Sequence, residues 1–91
     1  MPTRRQEIIQ MLEHGQMSLY QIAGYFKVEL FEIEEDLEHI QVSIRPRKLK
    51  RIPSQCKQCH FVFKERTKFR TPTKCPKCRS EWITDAMFYV E

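Results

Sequence analysis

Cys56-Lys57-Gln58-Cys59 and Cys75-Pro76-Lys77-Cys78 decide how the second half of this 91-residue chain folds. Fifteen residues separate the two stretches, which is within the spacing of a four-cysteine zinc site. Two residues between cysteines let both sulfurs of one turn reach one metal ion, and a second such turn completes a tetrahedral ligand set. The sequence therefore predicts one structural Zn²⁺, with no open position for water, held by Cys56, Cys59, Cys75 and Cys78.

The same four cysteines have two alternative interpretations. Disulfide-bonded domains are usually secreted, but residues 1–5 run straight into an amphipathic stretch and do not resemble a signal peptide. Zinc in a reducing, cytoplasmic setting is therefore the preferred interpretation. Paired turns of this kind also hold a single iron in rubredoxin-like electron carriers, and the spacing does not exclude iron as a minor alternative.

Size and composition exclude several classes of function. A piece of about 40 residues buries too little apolar surface to fold without a metal, a disulfide or a partner. No apolar run approaches the ~18 residues of a membrane-spanning helix, so we expect a soluble protein without a membrane partner. The sequence shows no nucleophile–base arrangement, glycine-rich phosphate loop or open metal position, so we expect neither an enzyme nor a small-molecule substrate.

Charge is segregated along the chain. Residues 1–42 carry three basic and eight acidic side chains, whereas residues 43–79 carry thirteen basic side chains and the single acid Glu65. The last twelve residues add three acids, which leaves a formal net charge of +4. A basic middle segment of this strength indicates a polyanionic partner such as nucleic acid.

The first half of the chain has the pattern of three short helices. Thr3 with Gln6, and Ser18 with Gln21, are capping-box pairs that open the first two helices. The third helix is predicted from apolar residues at steps of three and four, which are Leu30, Ile33, Leu37 and Ile40. After residue 42 the pattern favours short strands at 47–52, 61–64, 81–83 and 88–90.

This order of elements resembles a family of small archaeal predicted transcriptional regulators, in which a winged helix-turn-helix is fused to a zinc ribbon. The stretches that carry the resemblance are Gln21-Ile22-Ala23, Asp36-Leu37-Glu38-His39-Ile40, Cys56 to Lys64, and Cys75-Pro76-Lys77-Cys78. It implies an α+β fold with a three-helix winged-helix-like domain at 1–53 and a rubredoxin-like zinc ribbon at 54–91, either separate or packed with the wing as one unit. It also implies a non-enzymatic DNA-binding regulator.

Two positions depart from the usual zinc knuckle. Such turns commonly place glycine after the second cysteine, where this chain has His60 and Arg79. A left-handed backbone there would cost a non-glycine residue on the order of 1 kcal/mol. The sequence leaves open a positive φ at both positions or a slightly different turn. His60 is badly placed as a metal ligand because it directly follows Cys59.

The third helix is a poor candidate for reading DNA. A helix-turn-helix presents this element to the major groove, but its predicted outward residues are Leu30, Phe31, Glu34, Glu35 and Glu38. Acidic side chains repel phosphate. The helix is equally well explained as a solvated face, or as the docking surface of an adaptor that does not contact DNA directly. In the adaptor, the acidic helix would bind either a basic partner protein or this chain's own basic ribbon.

The basic side chains of the middle segment are the better nucleic-acid candidates. They would contact phosphates of double-stranded DNA in a salt-dependent, largely sequence-independent way. The predicted contact residues are Arg45, Arg47, Lys48, Lys50, Arg51, Lys64, Arg66, Lys68 and Arg70. Interleaved aromatic residues either stack on bases of single strands or form the core of the ribbon. We expect a core role, with Phe61 and Trp82 packed against the knuckles.

Overall fold

The computed structural model describes residues 3–91 as an α+β fold with three helices, a three-stranded sheet and a four-cysteine segment. No helix in this range is long and apolar enough to cross a membrane. The elements in chain order are α1 (Arg4–His14), β1 (Met17–Ser18), α2 (Leu19–Phe26), α3 (Leu30–Ser43), β2 (Leu49–Ile52) and β3 (Met87–Val90).

Capping boxes open the helices, as predicted for α1 and α2. The Thr3 hydroxyl accepts from the Gln6 backbone N–H, and the Thr3 backbone N–H donates to the Gln6 side chain at 3.0 Å. Ser18 and Gln21 repeat this exchange at the start of α2. Each box satisfies N–H groups that the first helical turn leaves without partners. The start of each helix is thus encoded locally.

A single hydrophobic core joins the helices to the end of the chain. Ile8 and Leu12 of α1 are fully buried, as are the apolar faces of α2 and α3. Phe88 in β3 and Phe69 in the loop beyond β2 belong to the same cluster, with their ring centroids 5.4 Å apart. Side chains from the second half of the chain therefore complete the core of the first half.

The last strand occupies the centre of the sheet. The strand order is β1-β3-β2, and β3 is antiparallel to both neighbours. Strand β3 confirms the predicted strand at 88–90, whereas the two-residue β1 was not predicted. The strands predicted at 61–64 and 81–83 are reduced to single bridges, Gln55 with Val62 and Cys56 with Ile83. The division of the chain at 53/54 stays a prediction, and β3 from its second part pairs with strands of its first part.

Asp36 does not lie on the solvated acidic face of α3. The residue is only 3% exposed, and its carboxylate accepts hydrogen bonds from Arg4 Nε at 2.6 Å and Arg5 Nε at 2.9 Å. The hydrogen bond to Asp36 is also the main reason that the pKa of Arg4 is raised. This double ion pair ties the first turn of α1 to the middle of α3.

We predict that Asp36→Ala lowers the free energy of unfolding by about 1.5–3 kcal/mol, because the change removes charge-assisted hydrogen bonds and leaves two neighbouring arginines without their shared carboxylate. Urea denaturation followed by circular dichroism measures this loss. Glu35→Ala is the matched control, since Glu35 is exposed and one residue away, and it is expected to change stability by less than about 0.5 kcal/mol. Equal stability of the two variants would contradict a role for the ion pair.

Candidate metal centre and basic surface

Two turns of the same backbone design carry the four cysteines. In the first, the His60 N–H donates to the Cys56 carbonyl at 3.0 Å, and in the second the Arg79 N–H donates to the Cys75 carbonyl at 2.9 Å. The backbone N–H of the first cysteine in each turn also makes a hydrogen bond. That of Cys56 donates to the Phe61 carbonyl, and that of Cys75 to the Ser80 carbonyl. Each turn is thus a small closed loop that holds two sulfurs on one side.

The four sulfurs fit one tetrahedral metal ion. All four Sγ atoms lie within 4.8 Å of one another, with Cys56 and Cys78 at 3.5 Å and Cys59 and Cys75 at 3.4 Å. A Zn–S bond of about 2.3 Å gives a regular tetrahedron an edge of about 3.8 Å. Cys56 and Cys75 are buried, whereas Cys59 is exposed. The four cysteines therefore form a zinc-ribbon-type metal site, and His60 is not part of the cluster.

The knuckle positions that lack glycine do adopt the left-handed backbone. His60 has φ 66° and Arg79 has φ 61°, so the positive-φ alternative is the one that the structure bears out. The backbone N–H of the next residue then donates to sulfur in each turn, that of Phe61 to Cys59 and that of Ser80 to Cys78. The turn geometry is therefore kept, although each residue carries the steric cost of a Cβ.

The thiols influence one another strongly. The Cys59 backbone N–H lowers the pKa of the Cys56 thiol to about 6, against the opposing effect of desolvation. At Cys78 a backbone hydrogen bond from Ser80 lowers the pKa, but desolvation and the three neighbouring thiols together raise it to about 12. The opposite shifts indicate that these close-packed thiols do not all ionise together without a cation, and metal binding displaces their protons.

The side chain of Arg51 makes its contacts within the protein. Its guanidinium donates to three consecutive carbonyls, those of Arg66 at 3.0 Å, Thr67 at 3.1 Å and Lys68 at 2.8 Å. It also lies 5.5 Å and 5.1 Å from the ring centroids of Phe69 and Phe88. Burial, with a smaller contribution from the charge of Arg66, lowers its pKa. Arg51 therefore fastens residues 64–71, which we call the ribbon loop, to β2. The sequence did not indicate this role.

Several other predicted phosphate contacts already have partners. Arg47 pairs with Glu13 at 2.8 Å, and Lys50 lies 3.6 Å from Glu91. Arg70 pairs with Glu34 of α3 at 2.9 Å, and the hydrogen bond to that carboxylate is the main reason that its pKa is raised. Arg66 Nε donates to the Arg70 carbonyl. In residues 3–91, the predicted bases that have neither an acidic partner nor a carbonyl acceptor are Arg45, Lys48, Lys64 and Lys68.

The outward face of α3 mixes acidic and apolar residues. Phe31 is 55% exposed and Val42 is 60% exposed, while Glu35 and Glu38 lie between them on the same face. Glu34, which was predicted to be outward, is half-buried and accepts from Arg70. The outward face of α3 therefore has fewer unpaired carboxylates than the sequence suggested, but Glu35 and Glu38 keep it acidic.

Trp82 is not part of the core, contrary to our expectation. It is 63% exposed, whereas Phe61 is only half-buried and Phe69 takes the core position. The bridge between Cys56 and Ile83 explains the difference. Ile83 shares the face of Cys56, so Trp82, one residue away along the strand, faces the opposite side. The stretch Glu81-Trp82-Ile83-Thr84 shows no alternation of polar and apolar residues, so the sequence around Ile83 offered no signal for this orientation.

The fold and the site together define a small α+β protein with a four-cysteine zinc-ribbon-type centre. The family model described as the PF0610 rubredoxin-like zinc beta-ribbon domain matches residues 53–91, and the model described as PF0610-like, N-terminal matches residues 3–52. The chain belongs to this PF0610 family.

A solved structure agrees with this assignment. The solution NMR structure of protein PF0610 from Pyrococcus furiosus is 33% identical in sequence, with a TM-score of 0.73. The similarity covers 97% of this chain and 88% of that one. None of the curated proteins searched matches the chain.

We predict that metal removal by a strong chelator unfolds the knuckle segments, because the metal supplies the binding free energy of such sites, on the order of 10 kcal/mol in zinc-finger peptides. Amide hydrogen exchange measures the effect at His60 and Arg79, whose N–H groups close the two turns. One equivalent of Zn²⁺ should restore protection. Unchanged protection in chelator would contradict a structural metal.

We predict that His60→Gly keeps full metal stoichiometry and leaves stability unchanged or raises it by up to about 1 kcal/mol, since glycine adopts φ 66° without strain. His60→Val should destabilise by more than about 1 kcal/mol, because a β-branched residue tolerates this region poorly. Guanidinium denaturation and metal analysis measure both effects. Loss of metal in the glycine variant would instead identify His60 as a ligand.

Proposed function

We propose that this protein is a non-enzymatic DNA-binding protein, a transcriptional regulator of the winged-helix type. In this proposal one Zn²⁺ stabilises the ribbon, and basic side chains on the β2 segment and on the ribbon loop contact the phosphates of double-stranded DNA. Its setting is the cytoplasm, where glutathione and thioredoxin keep cysteines reduced and available to a metal.

The observation that carries the proposal is the set of exposed bases without partners, which we name the free basic set (Arg45, Lys48, Lys64 and Lys68). Within residues 3–91 no carboxylate lies within ion-pairing distance of these four. A basic side chain that is solvated and not neutralised internally is the kind that releases counterions when it meets a phosphate. The free basic set therefore provides the electrostatic contribution to binding.

The order of elements supports the winged-helix part of the proposal. Three helices precede two antiparallel strands, and a two-residue strand between α1 and α2 joins the same sheet. The connection from β2 to β3 contains the metal site, so the ribbon takes the place of the wing. Arg45 and Lys48 lie just before β2, and Lys64 and Lys68 lie in that connection.

The acidic face of α3 limits the kind of binding that we propose. Glu35 and Glu38 are exposed and would face the phosphates if α3 entered a groove. We therefore propose contacts through the free basic set alone, which give affinity that depends on salt and only weakly on sequence.

Zinc is the metal that we propose for the site. Four thiolates in a closed tetrahedral set suit Zn²⁺ in structural sites, and they leave no position for a reacting water. The same ligands also suit a single iron. Metal analysis distinguishes them, since a colourless protein with one zinc supports the proposal, whereas a red protein with iron favours an electron carrier.

We predict that Lys48→Ala/Lys68→Ala weakens binding to random-sequence duplex and reduces the slope of log affinity against log salt by about 1.8, because each lost phosphate contact removes about 0.9. Fluorescence anisotropy of a labelled duplex over a range of salt concentrations measures the slope.

The matched control is Arg47→Ala/Lys50→Ala, which removes the same amount of charge. These bases are already paired with Glu13 and Glu91, so a much smaller change of slope is expected. Equal effects of the two double variants would show that only net charge matters. Absence of duplex binding at low salt would contradict the proposed function.

A protein–protein adaptor is a second candidate, and the outward face of α3 favours it. Phe31 and Val42 leave apolar surface in water beside Glu35 and Glu38, a combination that suits a basic amphipathic segment of a partner protein. Isothermal titration with a basic amphipathic helical peptide tests this candidate, and Phe31→Ser/Val42→Ser should abolish any binding. Duplex binding that these two substitutions leave intact would separate the DNA function from the adaptor function.

A further inference from the structure

Trp82 is the largest aromatic side chain of the protein and the only tryptophan, yet most of it lies in solvent. A buried tryptophan would remove some 150–250 Å² from water. The ribbon places Phe61 and Phe63 in half-buried positions against each other, with ring centroids 5.1 Å apart, and leaves the indole outside. Packing of the ribbon therefore does not explain the presence of this side chain.

Hydrogen bonds to the cysteine turns fix the backbone of Trp82. The Trp82 carbonyl accepts from the Lys57 N–H at 2.8 Å, and the Trp82 N–H donates to the Ser80 hydroxyl at 3.1 Å. Lys57 lies between two ligand cysteines, and Ser80 accepts from Cys75 through its own carbonyl. The backbone position of Trp82 is thus set before any ligand arrives, which reduces the entropic cost of binding.

The surroundings of the indole are basic. Lys57 Nζ lies 5.4 Å from the ring centroid of Trp82, which is a cation–π distance. Lys77 and Arg79 are exposed on the second cysteine turn, and neither they nor Lys57 has an acidic partner within residues 3–91. Glu81 is the one acidic neighbour in sequence. A flat aromatic surface beside unpaired cations suits a ligand that is both aromatic and anionic.

We propose that Trp82 and Lys57 form a stacking site for an unpaired nucleobase of single-stranded nucleic acid. The base lies against the exposed indole, and a neighbouring phosphate meets the ammonium of Lys57. The strand is single because bases inside a duplex are already stacked on both faces. The site goes beyond the proposed function, since neither of its residues belongs to the free basic set and it recognises a different form of nucleic acid.

The test combines two measurements on the zinc-loaded full chain with a deoxythymidine oligomer. In the wild type, stacking on thymine should quench the emission of Trp82, whereas a duplex of the same length should quench it far less. In anisotropy titrations of the labelled oligomer, Trp82→Ala should bind about 5- to 150-fold more weakly, the range expected for one base–aromatic stack. Trp82→Phe should recover most of that loss.

Tyr25→Ala is the matched control, because Tyr25 is an equally exposed aromatic residue on α2, and it should leave oligomer affinity unchanged. Metal stoichiometry shows whether each variant is folded. If Trp82→Ala does not hold metal, Trp82→Phe and the wild-type emission decide the question. Oligomer binding without any change in Trp82 emission overturns the proposal, as does equal affinity of wild type and a metal-loaded Trp82→Ala.

The outcomes also separate this site from the proposed function. Lys48→Ala/Lys68→Ala should weaken duplex binding while the quenching of Trp82 by saturating oligomer persists. Duplex binding that is retained in Trp82→Ala, together with loss of the preference for the oligomer, supports both sites. Quenching by a basic amphipathic peptide but not by the oligomer would assign the indole to a protein partner and overturn the proposal.

Discussion

The pairing of the last strand with both other strands is the constraint on which the rest of the structure depends. Strand β3 lies between β1 and β2, and Ile52 of β2 is paired with Met87 of β3. Everything between these two residues must therefore leave the sheet and return to the same place. Closing so long a connection costs entropy, although that cost rises only slowly with length. The metal site and the core contact of Phe69 both lie within this connection and offset the cost.

The ribbon loop is fastened to the rest of the protein at several points. Arg51 binds three of its carbonyls from β2, Arg70 reaches Glu34 on α3, and the Thr71 N–H donates to the Tyr20 hydroxyl on α2. Two of the three attachments use basic side chains, and one of these meets the acidic helix. Part of the charge segregation along the chain is thus explained by contacts within the molecule. Direct contacts therefore hold the metal-bearing segment against the helices.

The features that sequence could predict are those encoded over a few residues. The capping boxes at Thr3 and Ser18 and the paired cysteine turns each contain all the groups that they need, so their geometry follows from spacing. The missed features depend on contacts that are distant in sequence. Strand β1 exists only because β3 returns beside it, and Asp36 is buried only because Arg4 and Arg5 reach it from another helix. The local sequence pattern therefore could not predict the pairing of β1 or the burial of Asp36.

The charge counted along the sequence overstates the positive charge that a polyanion would meet at the surface of the protein. Thirteen bases against one acid in the middle segment suggest a uniformly positive surface, yet Arg47, Lys50 and Arg70 face carboxylates from other parts of the chain, and Arg51 is bonded to backbone carbonyls. Bases neutralised in this way release fewer counterions on binding and contribute little to its salt dependence. The relevant quantity is the number of bases that remain solvated and without partners. Stacking on an aromatic ring does not displace counterions. An exposed indole on the same ribbon would therefore still contribute to binding affinity at salt concentrations where the phosphate contacts have weakened.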